Sequence, residues 1–451
     1  MDLFDKDHQA LLAELTARGV ARSAELQAAL KKSQPTVSRM LAELSSQVIP
    51  LGRGRNTRYG VAKAIMGQSA QQPLWWIDES GMPRRIGTLS LLGDGSVVHV
   101  EGVGFEDTLR NRLPWYLAPL KAQGFLGRLL AQRLMPTGLG SNPETWSLEA
   151  TLFAALHLHD APGAIVLGEP AAPVGQQRVP VEARLAGAVL DDLAQDVART
   201  LPAGSSAGGE QPKFLALMES GEHVLVKFTP PRGTPFGERW HDLLHAEVLA
   251  AQVLGRHGVG VCAGRIVETV RRTYLLSTRF DRIGANGRRH AVAVGAVHEA
   301  FGTGGYANWA GTCEALVRQG RLDAAAADQA RALLAFGRLI GNTDMHSGNL
   351  CLFVGGAGPR PDAPDELTAL EALAKGRFQL APVYDMLPMR WRPDPLLGGA
   401  AGYSAFEPDL VSASGPARGP AQEFWRHLSE QPRVGKALRV VAREMARRLA
   451  A

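Results

Sequence analysis

The alternation of apolar and polar positions near the start of the chain predicts three helices. Leucines recur at helical spacing within residues 5–18, and Gly19 provides a stop signal. Two shorter helices follow, with Ser23 and Ser33 as their expected N-caps and Pro35 near the first turn of the second helix, where the missing N–H of proline is tolerated. The pattern therefore predicts a pair of helices joined by a tight turn after the first helix.

A hairpin is expected next, because residues 48–61 alternate apolar and basic positions around Gly52, Gly54 and Asn56. Three helices and a hairpin within residues 1–63 predict a winged helix-turn-helix domain that binds DNA. Its third helix would present short polar and basic side chains to the major groove, and the hairpin would add arginines near the phosphates. The candidate DNA-binding residues are Gln34, Thr36, Ser38, Arg39, Arg53, Arg55 and Arg58. A small solvated helical domain used for dimerisation is the alternative.

The rest of the chain mixes helical and strand-like segments. Residues 64–73 are small and polar, which predicts a linker. Residues 74–202 combine both kinds of segment without a catalytic cluster, and residues 203–451 carry the candidate chemistry. This mixture predicts the α+β class.

Composition and charge narrow the kinds of protein to consider. Hydrophobic residues make up 45% of the 451, enough for ordinary cores, and the three cysteines are too far apart to indicate a disulfide framework or a zinc site. No secretory signal is expected, and no segment approaches the roughly 18 apolar residues of a membrane span. A cytoplasmic protein without a membrane partner is therefore expected. The net charge of +5 is modest, but residues 1–60 hold nine Lys and Arg against six Asp and Glu.

Residues 205–247 carry the first features of a phosphoryl-transfer site. The small-residue turn SSAGGEQPKF at 205–214 can bring backbone N–H groups close to phosphate oxygens. The strand that follows places Lys227 among apolar neighbours, and a buried lysine needs an anionic partner. Glu247 comes twenty residues later on a helix, a spacing compatible with a kinase-type lysine–glutamate pair. The alternative is a lysine that reaches solvent and a glutamate on the helix surface.

The segment GNTDMHSGN follows an apolar helix and predicts a catalytic loop. Asp344 and Asn349 are five residues apart, as are the hydroxyl-orienting Asp and the metal-binding Asn of protein kinases. His346 would hold the loop or touch the phosphates, or it is a structural loop histidine. A predicted strand over residues 378–385 ends in Asp385, the expected second Mg²⁺ ligand. The order of these features predicts a phosphotransferase that uses ATP and Mg²⁺.

Six motifs resemble, in order, those of the HipA-family serine/threonine kinases, the toxins of bacterial toxin–antitoxin pairs. They are SAGGEQPKF, VLVKF, AEVLAAQVLGRHGV, STRFDR, GNTDMHSGN and APVYDML. The resemblance covers about residues 75 to 440 and implies a two-lobed, protein-kinase-like fold. With the domain predicted at residues 1–63, the expected architecture is an α+β, HipA-like kinase that carries an amino-terminal winged helix-turn-helix domain.

The resemblance also implies a role for individual residues. Asp344 would be the catalytic base, Lys227 would contact ATP phosphates, Asn349 and Asp385 would bind Mg²⁺, and His346 would lie in the nucleotide-contacting loop. The implied phosphate loop consists of Gly208, Gly209, Glu210, Gln211, Pro212 and Lys213. The implied hinge beside the adenine consists of Thr278, Arg279 and Phe280. The serine whose autophosphorylation silences such kinases matches Ser206, with Ser205 as the other candidate.

The chain departs from the family pattern in two places. Glu210 stands where the family usually has alanine, and an acidic side chain near phosphates weakens ATP binding unless it points outward. Typical members depend on a separate helix-turn-helix antitoxin, whereas here a winged helix is fused to the kinase, as in the YjjJ-like single-chain branch. The expected partners are a protein substrate, DNA, an antitoxin and a second copy of the chain on DNA half-sites. The resemblance implies that the protein substrate is related to translation.

Two other functions compete with a protein kinase. Antibiotic and choline phosphotransferases use a similar Asp-x-His-x-x-Asn loop, but they usually precede the Asp with His-Gly, and this chain has Asn342 and Thr343. The second alternative is a transcriptional regulator whose kinase-like half binds a ligand or partner. A binding module has no need of the full set of Lys227, Asp344 and the two metal-binding residues, which favours the kinase.

Overall fold

The computed structural model describes residues 3–52, 54, 57–100, 107–158, 160–170, 178–200, 211–355, 369–394 and 402–450. The helices of these residues are α1 (Leu3–Arg18), α2 (Ser23–Leu30), α3 (Gln34–Glu43), α4 (Gly124–Leu134), α5 (Leu148–Leu156), α6 (Ala183–Thr200), α7 (Pro235–Arg256), α8 (Val294–Phe301), α9 (Trp309–Arg318), α10 (Ala324–Ile340), α11 (Ala369–Lys375), α12 (Leu410–Ala413), α13 (Arg418–Glu430) and α14 (Lys436–Ala450). The strands are β1 (Ala21–Arg22), β2 (Val48–Leu51), β3 (Arg58–Val61), β4 (Gln71–Ile77), β5 (Pro83–Leu91), β6 (Ser96–Val100), β7 (Asp107–Arg110), β8 (Ile165–Leu167), β9 (Arg178–Val179), β10 (Lys213–Met218), β11 (His223–Phe228), β12 (Gly264–Glu268), β13 (Thr273–Thr278), β14 (Arg282–Ile283), β15 (Gly287–Arg288), β16 (Ala291–Ala293), β17 (Cys351–Val354) and β18 (Phe378–Leu380).

The amino-terminal unit packs α1, α2 and α3 against a small antiparallel sheet of order β1-β3-β2. The first helix ends where the sequence predicted, because Gly19 adopts φ +79° immediately after it. The second helix begins at Ser23, and its N-cap is Arg22 rather than the serine, since the Arg22 N–H is bound by the Glu25 carboxylate at 2.6 Å. Ser33 is the N-cap of α3, as predicted. DNA binding by a winged helix-turn-helix in this unit stays a prediction.

Residues 64–73, which were expected to form a linker, are packed into the structure instead. Ile65 is fully buried and belongs to the largest core of the described residues. The Met66 N–H donates to Glu149 at 3.1 Å, and the Lys63 ammonium lies 2.7 Å from the same carboxylate. Strand β4 begins within the segment. The amino-terminal unit is therefore fixed to the sheet that follows it.

The middle part of the chain is built on an antiparallel sheet of order β7-β6-β5-β4-β8. A 3-10 helix (Trp115–Leu120) and α5 pack against this sheet, and their apolar residues join the core that continues into α7, α9, α10, α13 and α14. The middle part and the carboxy-terminal helices therefore share one continuous apolar interior.

A second five-stranded sheet, of order β12-β13-β11-β10-β9, carries the candidate chemistry. Side chains alternate across a strand, so Phe214 and Val226 face α6, whereas Lys227 and Leu275 face α7. Lys213 lies directly opposite Lys227 on the neighbouring strand and therefore shares its face. The pairing of β10 with β11 thus brings two lysines to one side of the sheet.

The carboxy-terminal part contains the sheet β16-β17-β18 and the helices from α8 onward. Helix α10 is fixed near its end by the Trp425 indole, which donates to the Leu339 carbonyl at 3.0 Å. Gly341 closes the helix with φ +77°, a left-handed conformation that glycine adopts without strain. The predicted catalytic loop therefore starts at the end of a firmly packed helix. Across the described residues, no helix combines the length and apolar character needed to cross a membrane.

A buried ion cluster joins the middle part of the chain to residues 279–282, which follow β13 of the second sheet. Asp281 accepts hydrogen bonds from Arg279, from Arg282 and from the Gly163 N–H at 2.7–3.0 Å. Asp160 accepts from the same two arginines at 2.7 Å each. Burial would raise the pKa of Asp281, but the two guanidinium groups hold it well below its usual value. The STRFDR motif therefore has a structural role at this interface.

We expect Asp281→Asn to lower the free energy of unfolding by about 3–5 kcal/mol, because it leaves two buried guanidinium groups short of a carboxylate. Urea unfolding measures the change. The control is Arg331→Gln, which removes an exposed ion pair with Glu314 and should leave the midpoint unchanged. Equal midpoints for Asp281→Asn and the wild type would show that the cluster does not stabilise the fold.

Candidate active site

Lys227 forms the centre of the candidate site, because it binds two carboxylates from different parts of the chain. Its ammonium donates to Glu247 of α7 at 2.5 Å and also to Asp385, which follows β18. The lysine side chain is 3% exposed. Burying a charge is costly unless it is paired, so the two acids make this position tenable for a lysine.

The three groups perturb one another's pKa values. Burial would lower the pKa of Lys227, but Asp385 and Glu247 outweigh it and raise that pKa. Burial raises the pKa of Glu247 despite its bond to the lysine. Burial would likewise raise the pKa of Asp385, but Lys227 and Lys213 keep it below its usual value. The lysine therefore opposes the effect of burial at both carboxylates.

The predicted catalytic loop lies in the same cleft. Asp344 and Asn349 line it together with Lys227, Lys213 and Asp385. The Asn349 Nδ2 donates to the Asp344 carbonyl at 2.6 Å, which aims the amide oxygen Oδ1 away from that bond. The loop therefore presents a carboxylate and an amide oxygen to the cleft, both of which are hard oxygen donors that suit Mg²⁺.

His346 helps to shape this loop. Its Nδ1 accepts from the Gly348 N–H at 3.0 Å, and its carbonyl accepts from the Trp309 indole at 2.9 Å. Its Nε2 lies 4.0 Å from the Asp344 carboxylate, and the ring is largely exposed. These contacts agree with a loop-holding role, and contact with phosphates stays a prediction.

Asp385 occupies a strained position after the end of β18. Its φ of +54° lies in the left-handed region, which costs a non-glycine residue roughly 1–2 kcal/mol. The predicted strand over residues 378–385 is wrong at its end: β18 stops at Leu380, and Asp385 lies five residues beyond it with a left-handed φ. The turn, rather than a strand end, aims the carboxylate at Lys227.

The residues that line the cleft are of the types that suit a phosphate chain with a metal ion. Lys213 and Lys227 supply cations, and Asp344, Asn349 and Asp385 supply oxygen ligands. The buried Gln211 Nε2 on its wall has no hydrogen-bond partner within the described part of the chain. A buried amide donor without a partner is costly, and a phosphate oxygen would satisfy it.

The outcome differs among the other residues predicted for the site. Gly208, Gly209, Glu210, Ser205 and Ser206 lie outside the described residues, whereas Pro212 directly precedes β10. In the expected hinge, Thr278 donates its hydroxyl to Glu222, and the Arg279 side chain belongs to the buried ion cluster. Phe280 stacks on Tyr384, with ring centroids 5.7 Å apart. The Arg279 guanidinium is therefore bound to Asp160 and Asp281, and the contact of this segment with an adenine stays a prediction.

Sequence reasoning missed several residues at the site. The Asn342 side chain accepts from the Asp344 N–H and donates to the Asp385 carbonyl. The Tyr384 hydroxyl donates to the Gly348 carbonyl at 2.7 Å. Trp240 and Arg392 line the cleft. Asn342 lies in the motif GNTDMHSGN and Tyr384 lies in APVYDML, so the motifs could have identified them. Trp240 and Arg392 lie outside these motifs and far from each other in sequence, so only folding brings them together.

The predicted DNA-contacting residues are placed as follows. Gln34, Ser38 and Arg39 are exposed on α3, and Thr36 is half-buried beside Ser33. Arg58 is half-buried in β3. Arg53 and Arg55 lie outside the described residues.

Comparisons with known proteins assign the family. Residues 205–450 match the family model of the HipA-like C-terminal domain, and residues 68–174 match that of the YjjJ-like toxin middle domain. The chain belongs to the HipA-like toxin family, which confirms the resemblance drawn from the motifs and the α+β, HipA-like fold class. Within this family it is similar to Toxin YjjJ of Escherichia coli (strain K12), with 33% identity over 452 residues that cover 96% of both chains.

Two solved structures are also similar. One belongs to the Shewanella oneidensis MR-1 toxin–antitoxin system of HipA, HipB and its operator DNA, with 16% identity and a TM-score of 0.49 over 84% of this chain and 95% of that one. The other is the Helicobacter pylori proinflammatory kinase CtkA, with 12% identity and a TM-score of 0.32 over 53% of this chain and 91% of that one.

We expect Lys227→Met to lower the free energy of unfolding by about 3–5 kcal/mol at pH 7.5, because Glu247 and Asp385 then lose their shared cation. Without the lysine both carboxylates have raised pKa values in the folded protein, so they take up protons as the pH falls and the deficit shrinks. Urea unfolding at pH 7.5 and pH 5 measures both values. Lys121→Met, at an exposed position, is the control. A deficit that is the same at both pH values would contradict this account.

Proposed function

We propose that the protein is a Mg²⁺- and ATP-dependent protein serine/threonine kinase that acts as a HipA-type toxin. The observation that carries the proposal is the convergence of Lys227, Asp344, Asn349 and Asp385 on one cleft, with Glu247 bound to the lysine. Phosphoryl transfer needs a cation for phosphate oxygens, oxygen ligands for the metal and a base for the acceptor hydroxyl. These residues meet all three needs.

Each residue takes a defined part in the proposed reaction. Lys213, Lys227 and the Gln211 amide bind phosphate oxygens. The Asn349 Oδ1 and the Asp385 carboxylate would hold the metal ion. Asp344 orients the hydroxyl of the acceptor and takes its proton. When bound, Mg²⁺-ATP supplies the phosphoryl group and the charge neutralisation.

The acceptor is proposed to be a serine or threonine of a cellular protein, with a translation-related protein as the expected substrate. Autophosphorylation at Ser206 or Ser205 is proposed as the regulatory reaction. A phosphate there adds nearly two negative charges beside the position for the nucleotide phosphates, which disfavours ATP binding.

Intact-mass spectrometry after incubation with Mg²⁺ and ATP tests the kinase. Wild-type protein that starts unmodified should gain phosphate at Ser205 or Ser206. Asp344→Asn should lose about 10²- to 10⁴-fold of the rate, because it removes the base and keeps the shape of the side chain. Asp328→Asn, on the exposed surface of α10, should match the wild type.

Other outcomes of this experiment favour the competing functions. Nucleotide binding without phosphate gain on the chain or on any protein of a lysate favours a regulator with a ligand-binding module. Phosphate transfer to a small hydroxylated metabolite alone favours a small-molecule phosphotransferase.

We also propose that the amino-terminal unit binds DNA and regulates the promoter of its own gene. Support comes from Gln34, Ser38 and Arg39, which are all exposed on α3. A short helix with polar and basic side chains suits the edges of bases in the major groove. We further propose that the protein binds DNA as a homodimer and that it binds a separate antitoxin.

Fluorescence anisotropy with the promoter and with random DNA tests DNA binding. Arg39→Ala should weaken promoter binding by about 1–3 kcal/mol if this side chain reads a base, and should reduce the preference over random DNA. Arg271→Ala changes an exposed arginine in another part of the fold and is the charge-matched control. Equal affinity of the wild type for both DNAs would rule out promoter recognition.

A further inference from the structure

The Asn342 side chain connects the two loops of the candidate active site. Its Oδ1 accepts the Asp344 N–H at 3.0 Å, and its Nδ2 donates to the Asp385 carbonyl at 3.1 Å. A single amide therefore bonds to the backbone of the proposed base and to the backbone of the proposed metal ligand. Loops separated by about forty residues of sequence meet at this one side chain.

Asn342 is itself held in place. Its N–H donates to the Gly337 carbonyl at 2.8 Å, in the last turn of α10, and its side chain is buried against the Met386 sulfur at 3.7 Å. The Arg390 N–H reaches the neighbouring Gly341 carbonyl at 3.0 Å, a second backbone link between the two loops. The rigid end of α10 is thus the reference point for both loops.

The bond to Asp385 matters because that residue is in a strained conformation. Its left-handed φ of +54° persists only where its surroundings hold it. The direction of the Asp385 carboxylate depends on the peptide whose carbonyl Asn342 binds. Loss of this bond frees the turn and allows the metal ligand to swing.

We infer that Asn342 is a positioning residue that sets the Asp385 metal ligand and the Asp344 base relative to each other. The inference rests on the proposed kinase function and adds to it a residue that touches neither substrate nor metal. An amide is required, because the two loops need one acceptor and one donor from the same side chain.

Two substitutions separate the two bonds. Asn342→Asp has nearly the same shape and still accepts the Asp344 N–H, but it sets a carboxylate oxygen against the Asp385 carbonyl. Asn342→Ala removes both bonds. The first variant should therefore disturb mainly the metal side, and the second should disturb both sides.

The test is the rate of phosphate transfer as a function of Mg²⁺ at saturating ATP, together with calorimetric titration of a non-hydrolysable ATP analogue with and without Mg²⁺. Asn342→Asp should raise the Mg²⁺ concentration for half-maximal rate by about 10-fold or more, with a smaller loss of kcat. Asn342→Ala should lower kcat by about 10- to 100-fold as well, as is typical for residues that orient metal ligands. Binding of the analogue without Mg²⁺ should change little in Asn342→Asp.

The control is Thr273→Val, which removes buried hydrogen bonds to His241 and Arg232 outside the cleft. It should lower the unfolding temperature without a change in Mg²⁺ dependence. If Asn342→Ala does not fold, Asn342→Asp still decides the question. Wild-type values of kcat and Mg²⁺ dependence in the folded variants would overturn the inference, as would the same changes in Thr273→Val. A wild-type protein that neither transfers phosphate nor binds the analogue would instead overturn the proposed kinase and this inference with it.

Discussion

The buried Lys227 ammonium is the interaction on which the arrangement of the site depends. A cation that is 3% exposed must have anionic partners, and here the partners come from α7 and from the turn after β18. Satisfying this charge therefore fixes a helix and a distant loop against one strand. The same ion pairing keeps Asp385 in the cleft that Asn349 and Asp344 also line, which is the proposed position of the metal ion and the phosphate chain.

The rest of the fold supports this arrangement through a second buried charge cluster. Arg279 and Arg282 bind Asp160 and Asp281, so the middle part of the chain is attached to the kinase-like part by charged groups as well as by apolar contacts. Such a cluster specifies one docking geometry, because any other geometry would leave a charge without a partner. The segment STRFDR thus stabilises the interface between the middle part of the chain and the second sheet.

The amino-terminal unit is joined to the rest of the fold by direct contacts, whereas the composition of residues 64–73 predicted a linker. The residues just after β3 and β5 form an isolated bridge at Ala62 and Leu92, beside which the Gly93 N–H donates to the Val61 carbonyl at 2.8 Å. A small core of Leu51, Leu92 and Val98 closes the junction. A DNA-binding function at this end would therefore act from a unit fixed to the toxin body, which contrasts with a DNA-binding partner on a separate chain.

The sequence by itself determined the main helices and strands and the side chains that are available for chemistry. Periodicity located helices such as α7 and α10 and strands such as β11, because burial of one face imposes a repeat, and the spacing of Asp344 and Asn349 indicated a catalytic loop. Only the tertiary structure showed that residues 64–73 are packed, that Arg279 faces a buried ion cluster, and that Asn342 bonds to two loops at once. These features depend on long-range contacts and on one left-handed turn at Asp385, and neither leaves a periodic signal in the chain.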